Sequence, residues 1–515
     1  MIPRVINNIP ELVEIGEILP AKAQKVKKQK KKGKKAKKDK KGTGYAIVVV
    51  NFIVSTYFNT MCSYPLIFLV YSFRRKLPWT DCDNHWNTIH CAELGSHKLR
   101  SAINKTAHDD LIPTKETKTP ADEFFHNQIL QISDNIGDMG GIVWPVLVAN
   151  LIAWAVTFLC IKKGGENCRK SRLFHSHLSG VNPCRALNKG VDFTGCLRWG
   201  AFLRLSAMGS AYQFEDAAIQ IFFSLGPGWG GIVNMASFND FRNNNKLDSI
   251  LVPILNCSAS ILAGFVVFSV IGYMAHETGL PISTVASSGP GLAFITYPEA
   301  ISLMPWPQLW AVLFFIMLFL LGLDSMFVTI ESIVNSIVDE YPRLRRNKTY
   351  ITFVSIIGMM LMSTIYATNG GMYWLQLFDW YSASISVVLI CLVEVVIVGY
   401  TYGVSNFKHD VEFMIQEKIS WFWIVSWKIT TPLILTFMFY ATIRFNTRVS
   451  YQGHEYPEWA INIGWGSCYV SMLCIPIYMG YRLLYLERGD LVEVSSVTYT
   501  GWTHGPYRGV DQVFS

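Results

Sequence analysis

Charge is what this 515-residue chain has least of: 16% of its residues are charged, against 51% hydrophobic and 14% aromatic. That balance excludes a disordered polypeptide and argues against a soluble enzyme. Residues 1–42 hold no apolar core, so no cleavable signal peptide is expected. No nucleophile–base or metal-ligand constellation stands out, so neither catalysis nor a resident cofactor is expected. No ring of pore-lining charge or filter repeat suggests an ion channel. Nucleic acid is not an expected partner.

What is present is apolar length. Nine runs are long enough to cross a bilayer: Gly44–Tyr71, Ile142–Ile161, Asp216–Phe238, Ile250–Met274, Leu309–Val338, Thr349–Ala367, Met372–Tyr400, Ser420–Ile443 and Ala460–Leu484. The expectation is an all-α, polytopic membrane protein. The third run is interrupted. Residues Gln220–Asn244 read QIFFSLGPGWGGIVNMASFNDFRNN, with Gly226, Pro227 and Gly228 at the centre and Ser224 and Trp229 flanking them. Proline removes a helix hydrogen bond and glycine loosens the backbone, so amides and carbonyls are freed at mid-membrane depth, where only a protein-lined cavity can satisfy them. A solute site is one reading of this break; a simple kink in a spanning helix is the other.

The net charge of +8 belongs to one segment: residues 21–41 hold thirteen lysines against Asp39, or +12, leaving −4 elsewhere. The run reads as a solvated cytosolic arm that enforces positive-inside topology, as a clamp for anionic lipid, or as a nuclear-type basic signal. Eleven cysteines are scattered, mostly singly on apolar segments. Cys82 and Cys91 differ, lying in a polar loop after the first run with the sequon at Asn104. With the lysines inside, this loop is outside, where a disulfide and a glycan are allowed. Sequons at Asn256 and Asn347 fall in a span and a basic loop and read as chance.

Several blocks resemble the neurotransmitter:sodium symporters, the sodium- and chloride-coupled carriers of amino acids and monoamines. They are WNTIHC at 86–91, SLGPGWGG at the break, SFNDFRNN at 237–244, SSGPGLAFITYPEA at Ser287–Ala300, LGLDSMF at Leu321–Phe327, VDEYP at Val338–Pro342 and NGGMYWLQLFDWYSAS at Asn369–Ser384, all in family order. Trp229, TIESIV at Thr329–Val334 and GGMYWL are most similar to the glycine and proline carriers. LQLFDWYSAS is also similar to the GABA and creatine carriers. The implied function is sodium- and chloride-coupled uptake of a small amino acid or transmitter by alternating access. The implied place is the plasma membrane, with both termini cytosolic.

The resemblance also implies roles. A sodium ion wants several oxygen ligands, and an intramembrane carboxylate is a functional hypothesis by default. The Leu321 carbonyl, Asp324 and Ser325 would form half of one sodium site, and Ser224 and Asn256 would serve the second. Chloride wants neutral donors, which Gln220, Ser224, Asn256 and Ser260 carry at one-turn spacings. Substrate contacts would come from Val54, Phe58, Phe223, Gly226, Trp229 and Ser325, with Trp229 favouring a small substrate. Asp379 and Asp339 resemble the outer and inner gate acids. Glu331 and Glu394 read as structural acids bonded to neighbouring helices. Membrane lipid is an expected partner, and a second copy of the chain is an option.

Departures accompany the match. Phe58 and Phe238 stand where the family has tyrosine, and loss of the first hydroxyl should weaken carboxylate binding by roughly 1–3 kcal/mol. The resemblance starts at the family's third helix, with GTGYAIVVV, so residues 44–487 cover helices three to twelve, between a tail at 1–43 and another at 488–515. Residues 163–213, where helix five belongs, are too charged to insert well. Leu173–Ser179 and Leu187–Cys196 can both be encoded so that one shifted frame reads YFTATFP and LIRGWTLPGA, close to family helix-five motifs. A tenth span there would keep both termini on one side. The expectation is therefore an incomplete leucine-transporter fold with impaired transport, and the alternative is a transport-dead membrane protein that at most assembles with relatives.

Overall fold

The computed structural model describes residues 41–93, 118–162, 211–278, 289–444, 449–452 and 454–481. The sequon at Asn104, the lysine run before Lys41, the two tails and residues 163–210 lie outside these. The architecture is all-α. Its long elements are α1 (Lys41–Ser72), α2 (Trp144–Lys162), α3 (Ala211–Leu225), α4 (Gly231–Ala236), α5 (Asn245–Thr278), α6 (Pro307–Glu340), α7 (Lys348–Ser363), α8 (Gly371–Ile415), α9 (Trp421–Arg444) and α10 (Glu458–Tyr481). A two-residue hairpin, β1 (Ser450–Tyr451) with β2 (His454–Glu455), precedes α10.

Eight of the described helices, rather than nine, are long and apolar enough to cross a membrane. The difference is the third run: its helix stops at Leu225 and resumes at Gly231, and neither piece, of 15 and 6 residues, spans alone. The run through Met372–Tyr400 extends further than expected. As α8 it continues to Ile415, loosened by π turns at Asp379–Ala383 and Ile397–Gly403. Gly403 then takes φ +90°, a conformation that favours glycine, and starts a more polar final segment, Val404–Ile415.

The bundle is built around α1, which packs on α2, α6, α8 and α10. Its polar residues Asn51, Ser55, Thr56, Asn59, Thr60 and Ser63 are all buried. Without water, such groups need protein partners. The Asn59 amide donates to Asn150 Oδ1 (2.6 Å), the Asn150 amide to Ser363 Oγ (2.9 Å), and the Trp154 indole to the same oxygen (3.0 Å), binding α1, α2 and α7 by a chain of hydrogen bonds.

A loop cap closes one end of α1. Phe68 stacks on Phe315 at 4.7 Å and Phe294 at 5.6 Å, and meets Phe124 edge-on. Trp79, fully buried beside them, donates its indole N–H to the Pro298 carbonyl at 3.1 Å. The buried Glu123 carboxylate accepts from the Thr88 amide (2.9 Å), the Asn87 amide (3.0 Å) and the Thr88 hydroxyl. Cys82 and Cys91 form the expected disulfide, with Cα atoms 5.8 Å apart. Partial burial pushes the Asp81 carboxyl upward, but the Lys76 ammonium at 2.9 Å, with the Asp83 amide and the Thr80 hydroxyl, outweighs it and holds the group below its ordinary value. His126 stands between Asp122 (2.8 Å) and the Tyr451 hydroxyl (2.9 Å), joining the cap to the hairpin.

Candidate functional site at the broken helix

The break between α3 and α4 is made by three glycines in left-handed conformations, Gly226 (φ +66°), Gly228 (φ +80°) and Gly230 (φ +71°), around Pro227. Two of them also permit close approach. A Cβ on Gly228 would lie 2.9 Å from the Val387 carbonyl of α8, and one on Gly230 would lie 2.9 Å from Ile47 Cγ2 of α1 and 3.3 Å from Ser332 Oγ of α6. The unwound segment is thus held among α1, α6 and α8, as freed backbone in a membrane requires. A kink in a continuous helix does not describe it. The Asn51 side chain on α1 donates to the Trp229 carbonyl at 2.9 Å, and Asn335 on α6 donates to Asn234 on α4 at 2.8 Å.

Ser224, in the last turn of α3, meets Asn256 of α5. The two exchange hydrogen bonds, Asn256 Nδ2 to Ser224 Oγ at 2.8 Å and Ser224 Oγ to Asn256 Oδ1 at 3.1 Å. Ser260 donates to the Asn256 carbonyl at 3.0 Å, one turn back on its own helix. Gln220 lies exposed one turn before Ser224. Of the donors expected to converge on an anion, Ser224, Asn256 and Ser260 therefore point at neighbouring protein oxygens in this structure.

On α6, Asp324 is half-buried, while Ser325 and Leu321 are exposed. Asp324 stands one and two turns before Val328 and Ser332, which close on Gly231 and Gly230. By helical spacing, the acid shares the face of α6 that meets the break. The Ser325 carbonyl accepts from the Thr329 hydroxyl at 2.8 Å. On α1, Val54 is buried and Phe58 half-buried. They sit three and seven residues after Asn51, on the same helical face. Trp229 packs against the main apolar core, and Phe223 is half-buried beside Phe222.

The two acids that resemble the gate acids each have a partner within this chain. Asp379, at the start of the first π turn of α8, accepts from the Tyr57 hydroxyl of α1 at 2.9 Å. Asp339 pairs locally with Arg345 at 3.4 Å, both side chains exposed. Glu331 contacts Lys348 on the next helix at 3.6 Å, in line with a structural acid. Phe238 is half exposed. Two residues stand out that sequence reading passed over, Asn51 and Tyr57. The available signal was a polar side chain in an apolar span, one or two turns from Val54 and Phe58.

The chain is similar to known carriers over most of its length. A sequence model described as the sodium:neurotransmitter symporter family matches residues 36–486. The sodium- and chloride-dependent glycine transporters 1 and 2 of Xenopus laevis are 36% and 35% identical to it, over 87% and 88% of this chain and 73% and 60% of their own lengths. The human sodium- and chloride-dependent taurine transporter is 34% identical, over 88% of this chain and 73% of its own length. With these relatives the chain is a transporter homologue and no enzyme, and it belongs to the sodium:neurotransmitter symporter family.

Proposed function

We propose that this chain serves sodium- and chloride-coupled symport of a small amino acid or related transmitter across the plasma membrane, by alternating access. The observation that carries the reading is the break at Gly226–Gly230, backed by α1, α6 and α8 and flanked by the Ser224–Asn256 pair. The donor types suit the ions. The oxygens of Ser224, Asn256, Asp324, Ser325 and the Leu321 carbonyl are the hard ligands that sodium prefers. Gln220, with the Ser224, Asn256 and Ser260 donors if their present hydrogen bonds open, carries neutral groups of the kind that bind chloride. The ions are cargo, not resident cofactors.

The substrate reading follows the walls. Trp229 and Phe58 fill space near the break, which favours a substrate the size of glycine or taurine, and Phe58 brings no hydroxyl to a carboxylate. Asp379 with Tyr57 would close one side, and Asp339 with Arg345 the other, in a cycle where these pairs open and reform. The Cys82–Cys91 loop faces outside in this reading, Asn104 is its glycan acceptor, and both termini are cytosolic.

The mutual satisfaction of Ser224, Asn256 and Ser260 favours a second reading, in which these side chains only join helices and the protein does not transport. The deciding experiment is uptake of labelled glycine, taurine and proline into cells expressing this chain, with sodium or chloride replaced in turn. Uptake abolished by either replacement supports symport. Surface-expressed protein with no ion-dependent uptake of any of the three would overturn it in favour of the second reading.

A further inference from the structure

Asn51 has no part in the transport reading above, yet it makes the one long-range side-chain bond described to the unwound backbone. It is 1% exposed, in the N-terminal third of α1, and its amide donates to the Trp229 carbonyl 178 residues away. In an unbroken helix that carbonyl would accept from the amide of residue 233. Here α4 opens one residue later, with the Asn234 amide bonded to the Gly230 carbonyl at 2.8 Å. The Trp229 oxygen is thus released by the break, and a buried carbonyl without a donor is unfavourable where no water reaches it. Asn51 supplies the donor. One turn below, Ile47 lies under Gly230 so closely that a Cβ there would clash. Ile47 and Asn51 therefore fix two consecutive residues of the break from one helix, and Val54 and Phe58 continue the same face.

We propose that Asn51 is a positioning residue that sets substrate size: by holding the Trp229 carbonyl it holds the attached indole as a fixed wall of the site. It acts through Trp229 and does not itself touch substrate. The part concerning selectivity rests on the symport reading, whereas the part concerning the backbone does not.

Two measurements on the full chain separate these parts. Hydrogen–deuterium exchange over residues 226–237 in detergent reads the hold on the break directly. Asn51→Leu, similar in size but without a donor, should speed exchange there by roughly tenfold, with little change in α10. Asn51→Gln, which keeps an amide, should lie closer to the parent, and Asn51→Ala replaces the leucine variant if that fails to fold. In uptake, Asn51→Leu should raise KM for the small substrate with kcat retained, and shift the preference toward larger amino acids by roughly tenfold, about 1.4 kcal/mol. Adding Trp229→Phe to it should change little more, because both substitutions act through one wall. Unchanged exchange in Asn51→Leu overturns the inference. Faster exchange with unchanged selectivity reduces Asn51 to a structural tie and overturns the role in substrate size. Parent protein without uptake would count against symport, while the exchange result would still decide whether Asn51 holds the break.

Discussion

α1 and α5 are alike in length, 32 and 34 residues, and each contains one proline and enough apolar residues to cross a bilayer, yet they are used in opposite ways. In the most apolar stretch of α1, 67% of residues are buried; in that of α5, none are. α1 turns its polar side chains inward, where Asn51, Tyr57 and Asn59 reach the Trp229 carbonyl, Asp379 of α8 and Asn150 of α2. α5 turns Leu251, Ile254, Leu255, Ile261, Leu262 and Phe265 outward and offers Asn256 to Ser224. Hydropathy cannot separate such helices, because lipid is as apolar as a protein interior. The placement of polar groups does. A scaffold helix holds many that are satisfied, and a helix at a working site holds few that can exchange partners.

Substitutions can break or sharpen that contrast. The largest effect is expected where the cap anchors α1: Trp79→Ala removes a fully buried indole among Phe68, Phe124 and Phe315 and should cost about 3–5 kcal/mol, seen as lost surface expression and a lower Tm in detergent. The second concerns the C-terminal end of α5, where Val270, Ile271, Met274 and Ala275 pack on Ala300. Next to Ala300, burial pushes the Glu299 carboxyl up to about 8, against a hydrogen bond from Thr119 and with the charge of Asp122 adding to the rise. The folded protein then keeps a proton that the unfolded chain releases near its ordinary value of 4.5. Stability should fall as pH rises from near 4.5 to near 8 and level off above, by up to about 5 kcal/mol. Melting curves across that range should show the slope in the parent, and Glu299→Gln should abolish it; a slope that persists would remove Glu299 as its cause.

Within α1, Asn59→Leu leaves Asn150 Oδ1 without its donor and should cost about 1–3 kcal/mol. The matching change in α5, Asn256→Ala, should shift stability by less than about 1 kcal/mol. It should nevertheless raise the sodium concentration for half-maximal uptake by roughly tenfold. Equal stability losses in the two helices would erase the distinction between them. Smallest of all, Arg345→Ala breaks an exposed pair and should move Tm by no more than the equivalent of about 0.5 kcal/mol.

Much of this contrast was legible in the sequence where a residue type has few alternatives. Glycine and proline inside an apolar run announced the break, and two cysteines in one polar loop announced the disulfide. Apolar length located every long helix, although the broken run looked like a ninth span because hydropathy averages across a gap of five residues. Side-chain partners across the bundle were not legible. Tyr57 reads as an ordinary neighbour of Phe58 until the π turn of α8 brings Asp379 to it, and π turns carry no clear sequence signature. The resemblance marked Asp339 as a gate acid without naming a partner in this chain; geometry supplied Arg345, six residues away.

The length of α8 has a mechanical consequence. At 1.5 Å per residue, 45 residues extend about 68 Å, more than twice the ~30 Å thickness of a hydrocarbon layer. Such a rod cannot stay within the bilayer, and Gly403 is where it changes direction, ahead of a segment bearing Lys408, His409, Asp410 and Glu412. The charged arm that follows this glycine therefore belongs among headgroups and water, outside the hydrocarbon layer.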